Sequence, residues 1–148
     1  MASLPSISKM WSDTIFDLAP AAVAKTLGGT FAKPDSPVHN FCAVRLSHAL
    51  RHAGHQLNVP GGDYKDSNGN PYIIRVETMI QYLTKNFGAP ETLDKSKKDF
   101  LKGKSGIIIF KIPFNDATGH CCLIKNGVFR VASDNYVGDA TSINFWSL

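Results

Sequence analysis

The chain has 148 residues, 43% of them hydrophobic, which suits a single domain over residues 1–148 with a real apolar core. Its formal net charge of +4 comes largely from a lysine run at Lys95, Lys97, Lys98, Lys102 and Lys104, where no stacking aromatics alternate with the charges, so a solvated face is expected and not a nucleic-acid surface. No basic amino-terminal region leads into a long apolar stretch, the apolar run 18–24 is too short for a membrane span, and three cysteines make no disulfide framework, so synthesis in a reducing cytoplasm without a Sec-type signal is expected.

In chain order, residues 7–13 read as a short first helix, and Pro20 starts a second one that Gly28-Gly29 stops. A Pro-containing loop, Lys33-Pro34-Asp35-Ser36-Pro37, then hands over to Asn40-Phe41-Cys42-Ala43-Val44-Arg45-Leu46-Ser47-His48-Ala49-Leu50. There Leu46, Ala49, Leu50 and Ala53 recur at helical spacing, and Cys42 shares their buried face. Asn40 is a good N-cap residue, which puts Cys42 in the first turn, where free backbone N–H groups and the helix dipole favour a thiolate. A free cysteine is otherwise a small buried hydrophobe, so a base elsewhere has to distinguish the two readings. Gly54 is expected to end this helix near His55. Arg45, His48, His52 and His55 form a stripe opposite Leu46, read as an outward polar face; with no carboxylate or cysteine on it, it makes no metal site.

Residues 61–71 are rich in Gly, Asn, Asp and Ser and read as a surface loop able to border a binding site, without a phosphate-loop pattern. Tyr72-Ile73-Ile74-Arg75-Val76 reads as a short strand, followed by a helix through Met79, Ile80, Leu83 and Phe87 with Gly88 as its stop. From Gly106 the pattern turns to strands: 107–112, 120–125, 128–132 and a final 142–146, with Asn126-Gly127 joining the second and third as a hairpin. Helices first and an antiparallel sheet afterwards make the fold class α+β.

Gly119-His120-Cys121-Cys122 puts a histidine at the beginning of a strand, after the loop 113–118. A cysteine at a helix start and a histidine on a sheet can meet when the helix packs across the sheet, and such a pair carries amide cleavage: the thiolate attacks and the imidazolium protonates the departing amine. A third group should orient the ring. With a two-residue turn, Lys125 pairs with Val128, and counting outward sets His120 opposite Ser133, beside Asp134. Strict alternation turns Asp134 to the other face, so this assignment needs a bulge or a strand end near Ser133; Asn135 and Asp139 are the alternatives, and an ordinary turn residue is the bland reading of Asp134. Zinc is disfavoured because the adjacent His120 and Cys121 point to opposite faces and no Cys-x-x-Cys motif supplies further ligands.

These residues, together with Met10-Trp11-Ser12, Tyr72-Ile73-Ile74-Arg75-Val76 and Phe145-Trp146-Ser147-Leu148, resemble the type VI secretion amidase effectors, family four, a group of papain-like peptidoglycan amidases. The resemblance runs through most of the chain and implies a papain-like cysteine amidase fold, N-terminal helices packed on a C-terminal sheet. It implies cleavage of the D-glutamyl to meso-diaminopimelate bond of stem peptides, with Cys42 and His120 matching nucleophile and base and Asp134 preferred as the third residue. It also implies no metal or organic cofactor, a secretion apparatus as carrier, action in the periplasm of a neighbouring cell, and a cognate immunity protein as inhibitor. Cys121-Cys122 departs from the aliphatic and acidic pair expected after Gly-His, and the 125–133 hairpin is slightly long. Two rivals are a housekeeping cell-wall cysteine hydrolase and a non-enzymatic basic binding domain in which Cys42 is only core.

Overall fold

The computed structural model describes residues 3–36, 38, 40–59, 62, 64–113 and 119–147. Residues 114–118 of the expected loop before His120, Pro37 of the handover loop, Gly61 and Asp63 of the 61–71 loop, and Leu148 of the final motif lie outside them. Four helices precede the main sheet strands: α1 (Ile7–Trp11), α2 (Pro20–Leu27), α3 (Cys42–His52) and α4 (Val76–Phe87). Two 3-10 turns, Thr14–Asp17 and Gly29–Ala32, flank α2. The strands are β1 (Glu91–Thr92), β2 (Gly106–Lys111), β3 (Gly119–Lys125), β4 (Val128–Phe129) and β5 (Ser142–Ser147), ordered β1-β5-β2-β3-β4 with every pairing antiparallel. The α+β order expected from the sequence is the order observed.

Both faces of this sheet are covered, which explains why β2 reads as an unbroken apolar run and not an alternating one. On one face Ile107, Ile109, Cys121, Leu123 and Trp146 pack with Leu46, Ala49, Leu50, Met79 and Leu83 of the helices. On the other, Ile108, Phe110, Cys122, Ile124 and Phe145 are closed over by Leu93, Phe100, Leu101, Tyr136 and Val137 from connecting segments.

α3 ends as expected. Gly54 takes φ +93°, its N–H reaches Arg51 O at 2.9 Å and His55 N–H reaches Leu50 O at 3.0 Å, the paired bonds of a Schellman stop. The stripe of Arg45, His48, His52 and His55 is only partly a solvated face, however. His48 Nδ1 meets the buried Asp13 carboxylate, His52 lies 3.2 Å from Ser12 Oγ, His55 lies 2.6 Å from Tyr82 Oη, and Arg45 Nη2 donates to Leu18 O at 2.9 Å. The amino-terminal segment lies along this stripe and supplies most of its partners, so Arg45, His48 and His55 are half-buried and bonded to protein while His52 stays exposed.

Residues 72–75 are extended but form no strand, contrary to the expectation from their β-branched content. Their backbone finds partners elsewhere: Ile73 N–H donates to Ser47 Oγ at 3.1 Å and Tyr72 N–H to Tyr64 O at 3.0 Å, while Val76 already begins α4. The 64–71 part of the loop is internally bonded, with Asp66 accepting from Asn68, Asn70 and Tyr72 and Ser67 N–H reaching Leu27 O, and it does not line the cleft described below.

Candidate active site

The β3–β4 hairpin turns through Asn126 (φ +50°) and Gly127 (φ +79°), the paired left-handed conformations of a two-residue turn, and Lys125 pairs with Val128 as counted from the sequence. Its second strand is shorter than expected. Ladder pairing stops at Ile124 with Phe129, one further bond joins Arg130 N–H to Leu123 O at 2.9 Å, and residues Ala132–Asp134 then coil into a 3-10 turn. That early strand end removes the alternation problem: the turn carries the Asp134 carboxylate round to His120, with Oδ1 2.7 Å from Nε2. Gly119 lets the neighbouring strand approach just before the histidine, since a Cβ there would stand 2.2 Å from Phe110 O.

Across from the hairpin, α3 presents Cys42 at its first position, 4% exposed. The N-cap position is held by Phe41 and not by the expected Asn40, whose Oδ1, one residue farther out, accepts the Cys42 N–H at 3.1 Å, so in the resting protein that N–H is engaged. Cys42, His120 and Asp134 share the wall of one cleft of about 210 Å³, completed by Phe16, Leu18, Arg45, Cys121, Val131 and Ser133. Of the three residues considered for the ring, Asp134 is the one hydrogen-bonded to His120; Asn135 Oδ1 caps Val137 N–H at 3.2 Å, and the exposed Asp139 does not line the cleft.

The electrostatics favour a thiolate and imidazolium pair. The Cys42 thiol is held well below its usual range, first by a hydrogen bond from the Cys121 thiol, against the opposing effect of burial, with His120 adding a hydrogen bond and its charge. Burial disfavours a charged His120, but Asp134 and Cys42 outweigh it and push the ring up to about 9. Cys121 stays protonated, as donor to Cys42 and as a buried group, and Cys122 stays protonated through burial and the nearby negative charges. Strand alternation sends Cys121 to the α3 face and Cys122 to the other, so only Cys121 meets the nucleophile candidate.

A metal-capable group does exist, though not the one weighed from sequence. Donor atoms of His120, Cys122 and Asp134 lie within 4.8 Å of one another. Cys122, two residues along the strand, shares a face with His120, which Cys121 does not. Any ion there has to displace the proton already bridging His120 and Asp134 at 2.7 Å. Sequence reasoning missed Arg45 as a cleft residue and Cys121 as a neighbour of Cys42. The signal for the first was its i, i+3 relation to Cys42, and for the second the strand alternation that turns it toward the helix.

Comparison with known proteins identifies the family and the fold. Residues 38–146 match the family described as type VI secretion system (T6SS), amidase effector protein 4, Tae4. Among solved structures, the effector Tae4 of Enterobacter cloacae is similar at 26% identity and TM-score 0.83, over 100% of this chain and 99% of that one. The Tae4-Tai4 effector-immunity complex of Salmonella Typhimurium is similar at 27% identity and TM-score 0.83, and the Enterobacter cloacae complex at 27% and 0.81, each over 97% of this chain and 98% of the other. No match is found among curated proteins. With a family match across 38–146 and a fold shared over nearly its whole length, the chain belongs to the type VI secretion amidase effector 4 family.

Proposed function

We propose that the protein is a papain-like cysteine amidase, one domain over residues 1–148, that cleaves the D-glutamyl to meso-diaminopimelate bond of peptidoglycan stem peptides. The observation that carries this reading is the His120–Asp134 contact of 2.7 Å in the same cleft as a thiolate-prone Cys42 at a helix start. In this reading the Cys42 thiolate adds to the scissile carbonyl carbon. The developing oxyanion takes the Cys42 N–H that Asn40 Oδ1 accepts at rest, together with the dipole of α3. His120 gives its proton to the departing amine, leaving a thioester on Cys42, then takes a proton from the water that hydrolyses it. Asp134 holds the ring by Nε2 and stabilises the imidazolium. No step calls on a metal or an organic cofactor.

The biology follows from the family. Made in the cytoplasm, the protein is carried by the secretion apparatus into a neighbouring bacterium and acts on the wall in the periplasm. The Tai4 proteins bound to related effectors imply a cognate immunity protein as its inhibitor. No described helix is long and apolar enough to cross a membrane. The test is hydrolysis of purified peptidoglycan, with muropeptides identified by mass spectrometry. Wild type should release the proposed fragments, and Cys42→Ala should fold normally and release none. Hydrolysis by a folded Cys42→Ala protein overturns the cysteine mechanism. Cleavage at another bond keeps the amidase and moves the substrate assignment.

A further inference from the structure

Arg45 is the one residue of the cleft wall whose charge the proposed chemistry leaves unused. It lies one turn from Cys42 on α3, where side chains at i and i+3 stand about 5–6 Å apart at Cβ. Its Nη2 donates to the neutral carbonyl of Leu18 at 2.9 Å, its Nε is buried without a hydrogen-bond partner, and it forms no ion pair among the described residues. Burial draws the guanidinium below its ordinary range and the charges of Asp134 and Cys42 draw it back, so it stays a cation. Neither anion is free to neutralise it, because Asp134 is bonded to His120 and Cys42 is engaged by Cys121 and His120. A half-buried cation with an unpaired Nε is a good receptor for a carboxylate, which guanidinium recognises with strong, directional hydrogen bonds.

We infer that Arg45 binds the free α-carboxylate of the D-glutamyl residue that donates the acyl group, and so selects stem peptides carrying that charge. This rests on the bond assignment above. In a γ-linked glutamyl residue the α-carboxylate carbon is four carbon–carbon bonds from the scissile carbonyl, a reach of about 5 Å at ~1.5 Å per bond. Cys42 and Arg45 line one cleft of about 210 Å³, so a group at that reach from the thiol shares a cavity with the guanidinium. Apolar Phe16, Leu18 and Val131 line the same cleft.

The experiment compares two synthetic stem peptides, identical except that the D-glutamyl α-carboxylate of one is a carboxamide. Wild type should cleave the acid with a kcat/KM at least about tenfold above the amide, as one charged hydrogen bond predicts. Arg45→Met should bring the two within about twofold, and Arg45→Lys, which keeps the charge without the fork, should fall between. A merely structural role, or one confined to favouring the Cys42 thiolate, lowers both substrates alike and leaves their ratio unchanged; that result overturns the inference. If Arg45→Met does not fold, the wild-type ratio decides alone, and equal cleavage of acid and amide removes the role from Arg45 while the amidase stands. Wild type that leaves both peptides intact fails the bond assignment itself, and the inference with it.

Discussion

Replacing Asp134 tests the cleft at its most specific contact. The bond from His120 Nε2 to Asp134 Oδ1 is 2.7 Å long and each side chain is 15% exposed, so it is sheltered enough to retain most of its strength. A hydrogen bond to a charged group contributes about 1.5–3 kcal/mol, which corresponds to a rate factor of roughly 10 to 150 at 1.36 kcal/mol per tenfold. Only the part that grows between the free enzyme and the transition state appears in kcat/KM, and His120 is already protonated at rest in the proposed ion pair. The expected loss for Asp134→Ala is therefore near the lower end, about tenfold. Asp139→Ala should stay within about twofold, because Asp139 is exposed and outside the cleft, and so should Asn135→Ala, whose side chain only caps Val137. The assay is kcat/KM on one purified muropeptide, with circular dichroism to confirm folding. Asp139→Ala crippled beside a near-normal Asp134→Ala refutes the hairpin argument.

The pH profile of kcat/KM should be a bell: it falls on the acid side as the Cys42 thiolate takes a proton, and on the alkaline side near 9 as His120 loses one. Asp134→Asn weakens what raises His120, so its alkaline limb should move to lower pH; an unmoved limb disconnects the two residues. Cys121→Ala removes the largest influence holding the Cys42 thiol down, so the pH midpoint of Cys42 alkylation by iodoacetamide should rise, whereas Cys122→Ser should shift it little. Superimposable profiles for Cys121→Ala and wild type exclude the thiol contact. Arg130→Met strips a donor from the carbonyls of Trp11 and Asp13, and stability should drop by roughly 1–3 kcal/mol, read as a lower urea midpoint; an unchanged midpoint shows that this brace holds nothing.

Much of this architecture can be read from the amino-acid order because local patterns dominate it. Pro20 and Gly28 bound α2, Gly54 stops α3 and Asn126-Gly127 makes the hairpin, each for a backbone reason visible in the residue type. What depends on tertiary cover was not visible. Helical periodicity separates the two faces of α3 but does not say that the amino-terminal segment lies on the polar one, so Arg45 and His48 read as solvated. The same holds for Tyr72-Ile73-Ile74, whose strand-like composition is served by Ser47 of a neighbouring helix. The two-residue β1 is too short to leave any pattern. For Asp134 the register count led to the right place, and the missing element was the 3-10 turn beginning at Ala132.

That turn also shows why residues with no chemistry matter to the cleft. His120 and Asp134 sit on one hairpin, 14 residues apart, so their contact is nearly local, whereas Cys42 must be brought to them from another layer. Packing of α3 on the sheet supplies the approach but not the tilt of the helix start. A chain of bonds through the amino-terminal segment constrains that tilt. Arg130, between β4 and the 3-10 turn, donates to Trp11 O at 2.8 Å and pairs with Asp17 at 2.9 Å. The segment it grips holds α3 in turn, through Asp13 with His48 and through Leu18 O with Arg45. The amino-terminal segment thus bonds both to the hairpin and to the helix, and its Phe16 and Leu18 form part of the cleft wall. A shift of any one of the three changes the distance across the cleft. The positioning of the thiol against the ring is therefore set as much by Arg130 and residues 11–18 as by the elements that carry Cys42 and His120.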